Sequence, residues 1–558
     1  MNLPRALATI ALLATSVLAD EPTPVAFDCF EYTGSDIQPS EKLPPGHYRN
    51  PILTGFFPDP SVCRVGQDFY LVNSTFSYFP GLPVFKSRDL VNWTLAGNAI
   101  SRPTQLDYHG SGISRGLFAP DIQWHDGIFY IVCTMIDRKG NFVITAIDPA
   151  GPWSDPVWLD FPGIDPSLFF DDDGRVWLVH NGEPPDNKPL YQGHRAVWLR
   201  QLDPQVKKLI GEPVLLVNGG VDITKKPVWI EGPHLLKRDG WYYLTCAEGG
   251  TGPQHSQVIL RSRAITGPFD PWNGNPILTQ RDLDDTVPGA VTCTGHADLI
   301  EAPDGKWWSV FLGCRPFPDG GLYTAGRETF LLPVTWTDDG WPVILAAGKR
   351  VPLVAPGPSV TAPTASTAAL NGDFTWSENF DSPALDGLWL MIRQPTAGSL
   401  WKVDSGKLLL TPGSETLAGD QHPAFLSRRV QHGRFRVSTT LETPTAPGID
   451  AGLALFQTEK NYYFLGARRN GSAVEIFVEL ADSGAPAVIH HVNVQPNEKI
   501  SLRIAADLNA VSFEWSTDGK SWDTFSAPAG IRPVSVQAAG GGMHFTGAVV
   551  GMHARRIL

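Results

Sequence analysis

One pattern of apolar and polar positions recurs five times along the first part of the chain. Each copy has a short opening that usually contains proline, a few alternating apolar residues, a turn and then an aromatic-rich segment. Alternation with a period of two predicts half-buried β-strands. Four of these turns are spelled Asp-Gly, the strongest short-range signal for a hairpin; they are Asp126-Gly127, Asp173-Gly174, Asp239-Gly240 and Asp304-Gly305.

The spacing of the copies predicts the fold class. Their anchor aromatics, at intervals of 60, 47, 66 and 65 residues, are Tyr70, Tyr130, Trp177, Tyr243 and Trp308. Each interval has the length of one four-stranded antiparallel blade, and no crossover helix is indicated between copies. We therefore expect an all-β protein with a five-bladed β-propeller over residues 48–350.

The pattern changes after the propeller. Residues 351–372 are rich in Pro, Ala, Thr and Ser and lack apolar periodicity, which indicates a linker. Short alternating segments then resume and predict a separate β-sandwich of the concanavalin or jelly-roll kind over residues 373–558. Residues 20–47 remain as an N-terminal extension.

The first 19 residues have the pattern of a secretory signal peptide. Arg5 precedes a mostly apolar run, and Val17-Leu18-Ala19 forms a small-residue cleavage pattern before Asp20. The apolar run is shorter than the roughly 20 residues that span a bilayer, and no later run approaches that length. We expect an exported protein without a membrane anchor, extracellular or, in a Gram-negative host, periplasmic.

Composition narrows the possible partners. The chain has 44 Lys and Arg against 57 Asp and Glu, a net charge of −13, without any basic run. This argues against a nucleic-acid partner, because binding phosphates needs a basic surface. Six cysteines in an exported protein allow disulfides, whereas Cys63, Cys133 and Cys246 lie in apolar runs typical of free core thiols. Both readings of the cysteines remain open.

Equivalent positions of the repeats carry the candidate chemistry. The innermost strand of each propeller blade faces the axis, so equivalent residues of different blades converge. The residues eleven or twelve positions before the anchor aromatics are Asp59, Ala119, Asp165, Glu231 and His296. Each alone has an ordinary explanation, such as a turn-forming Asp before proline or a core histidine. Together, carboxylates that shift one another's pKa are typical of acid–base catalysis.

This chemistry suits glycosidic bond cleavage. In the inverting reaction one carboxyl group protonates the leaving oxygen while the other activates water, at a separation of about 6.5–9.5 Å. A third carboxylate can keep the pKa of the acid high through like-charge repulsion. The acidic run Asp171-Asp172-Asp173 falls at a predicted turn and is interpreted as a solvated tip.

At these residues the sequence resembles glycoside hydrolase family 43, the β-xylosidases and α-L-arabinofuranosidases. The resemblance covers most of residues 48–345 and continues into the C-terminal sandwich. Its motifs include FAPDIQWHDGIFY, IDPSLFFDDDG, WIEGPHLLKRDGWYYL and TGHADLIEAPDGKWWSVF. It implies a five-bladed propeller and single-step inverting hydrolysis.

The resemblance also implies roles for individual residues. Asp59 resembles the general base, Glu231 the general acid and Asp165 the residue that tunes and orients the acid. Four further residues are implied in substrate binding: Arg327 of GRETF, which contacts the terminal sugar; Phe76, an aromatic wall; His296, an axial histidine that in some members joins a water-coordinated calcium; and Phe118, at a position where many β-xylosidases have Trp.

We expect an inverting exo-glycosidase that acts on xylo-oligosaccharides as a β-1,4-xylosidase. Phe118 leaves open the alternative of an α-L-arabinofuranosidase, or an arabinanase, acting on arabinoxylan or arabinan. The alternative from a different functional class is a propeller that binds glycans without hydrolysing them. The presence of Asp59, Asp165 and Glu231 argues against it, because binding alone needs no such set of carboxyl groups. No cofactor is expected to be required, with one Ca²⁺ near the axis as the alternative. The sequence does not indicate an oligomeric state.

Overall fold

The computed structural model describes residues 23–36, 42–205, 207–316, 321–358, 370–393, 400–526, 529–538 and 544–557. The expected signal peptide lies outside these residues. Within them, regular structure is β-strand apart from single 3₁₀ turns at Pro185–Asn187, Ile223–Lys225 and Arg532–Val534. No helix in the described residues has the length and apolar character needed to cross a membrane.

The five predicted propeller blades are present in the described part of the chain. Each is an antiparallel sheet of consecutive strands, because tight hairpins, spelled Asp-Gly in blades 2 to 5, pair neighbouring segments. The strands are Ser61–Val65, Asp68–Val72, Gly81–Ser87 and Thr94–Ile100 in blade 1; Asp121–His125, Ile128–Met135, Gly140–Ala146 and Val157–Leu159 in blade 2; Ile164–Phe170, Val176–Gly182, Ala196–Asp203 and Lys208–Asn218 in blade 3; Glu231–Arg238, Trp241–Glu248, Ser256–Ser262, Asp270–Pro271 and Leu278–Thr279 in blade 4; and Thr292–Glu301, Trp307–Cys314, Arg327–Trp336 and Pro342–Val343 in blade 5.

The propeller closes without a strand shared between the last and first blades, within the ranges that the structure covers. Instead, the segment that leads into blade 1 runs along the third strand of blade 5. The backbone N–H of Ile52 donates to the carbonyl of Thr329 at 2.9 Å, and Leu53 forms a bridge with the same residue. Side chains at the axis supply the other link between the blades.

A buried polar cluster, which we call the axial ring, joins the blades below the mouth of the propeller. The Ser61 hydroxyl donates to Asp121 at 2.9 Å and to Asp298 at 3.0 Å. The backbone N–H of Leu168 donates to the second oxygen of Asp121 at 2.8 Å. Nδ1 of His234 lies 3.5 Å from Asp121 and 3.9 Å from Asp298. The ring therefore connects all five blades.

The C-terminal sandwich is not the separate unit of residues 373–558 that the sequence predicts. Val25–Ser35, assigned above to an extension, lies inside one of its sheets. It pairs with Lys407–Leu410 and Phe374–Glu378 and, on its other edge, with Arg434–Glu442. The other strands of this sheet in the described residues are Trp401–Asp404, Lys499–Asp507, Ala510–Ser516, Asp523–Thr524 and Ala529–Gly530.

The second sheet of the sandwich includes a piece of the propeller. Tyr78–Phe79, from the connection inside blade 1, pairs with Leu390–Ile392. Arg393 is buried beside this pair, and its side chain donates to the carbonyl of Ser111 in the propeller at 2.6 Å. The remaining strands are Ala424–Arg429, Ile449–Thr458, Asn461–Asn470, Ala473–Asp482, Ala487–Val494 and Val549–Arg556.

The expected linker is ordered where the structure describes it. Val354–Pro356 pairs with His47–Arg49, and the carbonyl of Leu370 accepts from the N–H of Thr54 at 2.8 Å; residues 359–369 lie outside the described residues. All six cysteines are described and free, and all except Cys29 are buried. The structure therefore supports the interpretation of Cys63, Cys133 and Cys246 as free thiols of the core.

Candidate active site

All seven residues singled out in the sequence line one pocket of about 330 Å³. The inner strands of the blades converge there, as the repeat analysis predicts. The volume is at the small end of the usual range for ligand sites, about 300–1,000 Å³. The full lining is Asp59, Phe76, Arg115, Phe118, Ala119, Ile164, Asp165, Trp229, Glu231, Gly250, Thr251, His296, Arg327 and Phe545.

The backbone refines the equivalence of the blades. Asp59, Asp165 and His296 share a left-handed conformation, with φ of 52°, 53° and 53°, which is uncommon for residues other than glycine. In blade 4 the residue in this conformation is Gly232, with φ of 53°. Gly232 is therefore the true equivalent of Asp59, Asp165 and His296, and Glu231 lies one residue before that position. A shift of one residue in an extended chain turns the side chain to another direction. The candidate acid therefore enters the pocket differently from the other carboxylates.

Gly232 is required by close packing as well as by its φ angle. A Cβ atom there would lie 2.7 Å from both Cε1 and Nε2 of the His296 ring, closer than real Cβ contacts. His296 thus packs against the backbone immediately after Glu231. This contact fixes blade 5 against blade 4 at the pocket floor.

Asp59 is held as a carboxylate. Its two oxygens accept hydrogen bonds from Nη1 of Arg327 at 2.8 Å and from the Ser74 hydroxyl at 2.6 Å. Burial alone would raise the pKa of Asp59, but the Arg327 guanidinium, assisted by His296 and Ser74, holds it below the ordinary value. Asp59 can therefore accept a proton from water at neutral pH.

Glu231 has the opposite character. Burial, followed by the negative charge of Asp165, raises the pKa of Glu231 to about 8. Asp165 accepts from the N–H of Gly232 at 3.2 Å and lies 3.6 Å from Nε2 of His296. Burial lowers the pKa of His296, but Asp165 and the other carboxylates raise it to about 9. The pocket therefore holds a protonated carboxyl group beside a carboxylate–imidazolium pair.

Aromatic rings form one wall of the pocket. Phe76 and Phe118 meet edge to face at 5.8 Å between centroids, and Phe545 stacks on Phe76 at 5.9 Å. The Arg327 guanidinium lies 5.6 Å from the Phe76 centroid and 5.2 Å from that of Phe545. Three rings beside a fixed guanidinium provide apolar faces and hydrogen-bond donors of the kind that bind a sugar ring.

Sequence reasoning missed Phe545, which belongs to the sandwich. The Ser114 hydroxyl accepts from its backbone N–H at 3.1 Å, and its carbonyl accepts from Arg327 at 3.3 Å. The residue lies 218 positions after Arg327 and outside every repeat, so no local signal marks it. Ser74, which sits next to an anchor strand, was also missed because a lone serine there has no distinctive pattern.

The rim of the pocket carries two further residues that the sequence did not single out. The Arg115 guanidinium lies 5.5 Å from the Phe118 centroid and forms two hydrogen bonds with Asp137 at 2.6 and 2.7 Å. Trp229 is 37% exposed, and the guanidinium of Arg195 lies 4.8 Å from the centroid of its ring. Both offer contacts to a ligand that extends beyond the pocket.

The polar residues at the axis are the candidate ligands for the calcium ion that the resemblance implies in some members. Asp121, His234 and Asp298 offer atoms within 4.8 Å of one another, but both oxygens of Asp121 already accept hydrogen bonds. Burial lowers the pKa of His234, whereas Asp298 and Asp121 raise it above the ordinary value, which favours imidazolium. His296 is likewise an imidazolium, as described above. Since calcium takes six to eight oxygen ligands, these hydrogen-bonded carboxylates and imidazolium groups do not fit direct coordination of the ion.

Comparison with known proteins gives a family for both domains. The model of "Glycosyl hydrolases family 43" matches residues 48–342, and that of "Beta xylosidase C-terminal Concanavalin A-like domain" matches residues 377–557. A xylosidase/arabinosidase of Butyrivibrio fibrisolvens is 39% identical over 74% of this chain and 78% of its own length. A non-reducing end α-L-arabinofuranosidase of Bacteroides ovatus is 37% identical over 91% of each chain.

Solved structures agree with these matches. A GH43_12 protein retrieved from a capybara gut metagenome superposes with a TM-score of 0.89 at 38% identity, and the match covers 96% of this chain and 99% of that one. The similarity therefore includes the propeller, the sandwich and their mutual arrangement.

Proposed function

The chain belongs to glycosyl hydrolase family 43 and is a glycoside hydrolase, and from this premise we propose that it is an inverting exo-acting β-1,4-xylosidase. Xylan-derived oligosaccharides are its proposed substrates. The observation that carries the assignment of roles is the pair of carboxyl groups in one pocket with opposite pKa shifts, lowered at Asp59 and raised to about 8 at Glu231. Such divergence separates a base from an acid.

In the proposed reaction, Asp59 accepts a proton from water as the water oxygen bonds to the anomeric carbon. Glu231 donates its proton to the glycosidic oxygen as the bond between that oxygen and the anomeric carbon breaks. Arg327 and Ser74 hold Asp59 ionised and aligned, and Asp165 keeps Glu231 protonated before the reaction. After product release, Asp59 returns its proton to solvent and Glu231 takes one up.

The shape of the pocket supports removal of a terminal sugar. Phe545 reaches in from the sandwich and packs on Phe76, so one side of the small cavity is closed by the second domain. Arg327 donates to Asp59 and lies near both rings. A cavity of about 330 Å³ that is closed on this side suits a terminal sugar beside the two carboxyl groups, which favours exo action.

An α-L-arabinofuranosidase is the second candidate, favoured by one observation. Phe118 stands where many β-xylosidases have the larger Trp, and the relative from Bacteroides ovatus is named for that activity. Hydrolysis rates on aryl β-D-xylopyranoside and aryl α-L-arabinofuranoside decide between the two. Faster cleavage of the arabinoside would replace the proposed substrate but keep the mechanism. Short products from internal cleavage of arabinan would indicate an arabinanase.

Two variants test the proposed catalytic roles. Asp59→Asn and Glu231→Gln are expected to lower kcat/KM on xylobiose at least about 100-fold, the lower range for a general acid or base. Glu301→Gln, an exposed change on the first strand of blade 5, is the control. NMR of the first product should show the inverted α-anomer. Unchanged hydrolysis in both variants would overturn the assigned roles, whereas a wild type that binds the glycan without hydrolysing it would support a non-catalytic binding propeller.

We also propose that the protein is exported and acts without a bound cation. Export is supported by the signal pattern of residues 1–19, and mass spectrometry of the secreted protein should find a mature chain that starts at Asp20. Independence of a cation is supported by the hydrogen-bonded carboxylates and raised histidine pKa values at the axis. Dialysis against EDTA should leave kcat unchanged, and recovery of lost activity by Ca²⁺ would contradict this.

A further inference from the structure

His255 lies directly before the third strand of blade 4 and is 1% exposed. Its Nδ1 lies 3.0 Å from the carbonyl oxygen of Cys293. A carbonyl oxygen only accepts, so Nδ1 carries the hydrogen of this bond. In a neutral imidazole the other nitrogen, Nε2, then has a free lone pair.

The surroundings of His255 keep it neutral. Burial, followed by the positive charges of His296 and Arg327, lowers the pKa of His255 to about 4, although the bond to Cys293 and the charge of Asp59 oppose this. The imidazole is therefore mostly uncharged above about pH 4, a range that includes the neutral pH at which Asp59 is ionised and Glu231 is protonated. Nε2 acts only as a hydrogen-bond acceptor.

This acceptor points at the proposed general acid. Nε2 of His255 lies 3.9 Å from Oε1 of Glu231 and, among the residues that the structure describes, it has no hydrogen-bond partner. A buried polar atom without a partner costs about 1–3 kcal/mol. A movement of about 1 Å brings the two atoms to hydrogen-bond distance, a tightening that catalytic groups commonly undergo.

The backbone makes room for the His255 ring at this place. A Cβ atom at Gly295 would lie 2.7 Å from Cε1 and 3.0 Å from Nε2 of the ring. Any other residue at position 295 would push the imidazole away from Glu231. Gly295 directly precedes His296, so His255 packs against the residue before His296, while His296 packs against Gly232 of blade 4.

We propose that His255 is a positioning residue: its Nε2 accepts a hydrogen bond from the protonated carboxyl group of Glu231 in the free enzyme and keeps that group protonated between turnovers. This inference rests on the proposed role of Glu231 as general acid. The proton stays on the carboxyl oxygen until substrate binds. It then passes to the glycosidic oxygen as the bond to the anomeric carbon breaks, while His255 remains neutral.

The lone pair favours only one protonation state of Glu231. The protonated carboxyl group of Glu231 can donate a hydrogen bond to Nε2 of His255. An ionised Glu231 cannot, because the lone pairs of its carboxylate oxygens and the lone pair of Nε2 repel each other. The other charged groups that act on Glu231 come from different blades and stay in place when His255 is replaced; they are Asp59 in blade 1, Asp165 in blade 3, and His296 and Arg327 in blade 5.

The test is the alkaline limb of kcat/KM in His255→Phe, which keeps a ring but removes the acceptor. On xylobiose, or the corresponding arabinoside, this limb should move to lower pH by about one unit, the effect of one hydrogen bond made to one protonation state. The plateau at pH 5 should stay within about threefold of the wild type. With a dinitrophenyl glycoside, whose leaving group needs no protonation, the limb should be absent. His255→Gln retains an acceptor oxygen, so its alkaline limb should lie between those of His255→Phe and the wild type.

A matched control exists in the sandwich. His553 is also buried, its Nδ1 lies 2.9 Å from the carbonyl oxygen of Ala424, and its Nε2 has no hydrogen-bond partner within the described ranges. His553→Phe should lower the thermal midpoint as His255→Phe does but leave the pH profile unchanged. A loss in His255→Phe that is equal at every pH and on both substrates would indicate a merely structural role and overturn the proposal.

Glu231→Gln separates failure of this inference from failure of the proposed function. If it loses activity on xylobiose but not on the dinitrophenyl glycoside, Glu231 is the acid, and an unmoved limb in His255→Phe then counts against His255 alone. If Glu231→Gln loses activity on both substrates, or on neither, Glu231 is not the general acid and the proposed function fails independently of His255. Should neither His255 variant fold, ¹⁵N NMR of the wild type decides, because the Nε2 signal must titrate together with the alkaline limb.

Discussion

Asp59 and Glu231 show how a single pocket gives one carboxyl group the character of a base and another that of an acid. Both are buried, and burial alone would raise the pKa of each. The difference comes from their contacts, since Asp59 is bonded to Arg327 and Ser74 whereas Glu231 faces Asp165. The charge of the nearest neighbour thus decides the role of each group.

The first prediction concerns pH. We expect kcat/KM to require ionised Asp59 and protonated Glu231, so it should fall as pH rises through about 8 and fall again only in strong acid. Asp165→Asn removes the like charge next to Glu231 and should move the alkaline limb to lower pH. The measurement is a pH–rate profile on a substrate with a poor leaving group.

Asp172→Asn provides the control for this shift. Asp172 is mostly exposed at a hairpin tip, where it pairs with Lys237 outside the pocket. Its variant should reproduce the wild-type profile. An alkaline limb that stays in place in Asp165→Asn would show that Asp165 does not raise the pKa of Glu231.

The second prediction concerns the glycine beside the acid. Gly232→Ala should lower kcat about 100-fold, because the new Cβ collides with His296 and a displacement of about 1 Å at a catalytic group has that effect. Gly174→Ala shares the positive φ, but no atom lies within 4 Å of its new Cβ. Both variants should lose about 1–2 kcal/mol of stability through strain. Equal kcat values in the two would contradict the packing argument.

The candidate site was predictable from sequence to the extent that its residues obey the repeat. Asp59, Asp165 and His296 are in phase, and the family resemblance added Arg327, Phe76 and Phe118. The repeat did not reveal that Gly232 takes the common backbone position in blade 4, because one displaced residue leaves the spacing almost unchanged. Phe545 could not be predicted, since only the packing of two domains brings it to the pocket.

Among the structural elements, the inner strands of the blades have a second layer of polar residues beneath the pocket. Ser61, Asp121, Ser167, His234 and Asp298 each lie two residues beyond the equivalent backbone position of their blade, which in blade 4 is Gly232. Ser167 extends the axial ring, because its hydroxyl donates to the carbonyl of Pro233 at 2.6 Å. The spacing of the blades at the ring therefore sets the spacing of the catalytic groups above it.

The third prediction tests this layer. Asp121→Asn removes the charge that faces His234 and puts an NH₂ group where an acceptor is needed, and breaking a buried charged contact costs about 3–5 kcal/mol. The thermal midpoint should fall by at least about 5 °C, since 1 kcal/mol is worth about 2–4 °C in large domains. Scanning calorimetry measures the change, and kcat should fall with it.

Asp126→Asn makes the same replacement in the exposed hairpin turn of the same blade. Its stability should remain within about 0.5 kcal/mol of the wild type. Matching midpoints for the two variants would mean that the ring does not hold the blades together.

The elements that the sequence predicted are the ones whose partners are close along the chain. Each blade was predictable because short turns, Asp-Gly in four of the five blades, join neighbouring strands. Val25–Ser35 was not, because its ladder with Arg434–Glu442 shifts register between Phe27 and Cys29. The bulge breaks the alternation, so Phe27 and Phe30 are both buried although three positions apart. Its partners also lie hundreds of residues away.

For the whole molecule, Val25–Ser35 changes how the two domains are related. Val25–Ser35 lies in the sandwich, and the chain then leaves it for the propeller and returns at Phe374–Glu378. The propeller is thus inserted between two paired strands of the sandwich, and Tyr78–Phe79 joins the sheets again. The two domains are therefore joined by strand pairing, and Phe545 is the point where the sandwich enters the pocket.

The fourth prediction follows from this connection. Residues 373–558 expressed alone should fail to fold, because the missing strand leaves three strands of a sheet without their partner. Its absence also exposes the core residues that pack against Phe27, Phe30 and Tyr32. Circular dichroism and limited proteolysis measure this. Adding a peptide of residues 23–36 should restore a cooperative thermal transition, whereas a stable fold without it would contradict the argument.

The position of this strand in the chain determines the order in which parts of the protein can fold during synthesis. Val25–Ser35 leaves the ribosome early, and 338 residues separate it from its first partner, Phe374–Glu378. At about 5–20 residues per second this interval lasts on the order of 20–70 s. Throughout it, the propeller can complete its local hairpins while an aromatic-rich strand waits unpaired, open to association with other chains. Val25–Ser35 is therefore the segment of the nascent chain that most needs protection by a chaperone. It is synthesised before the propeller but is among the last strands to be buried.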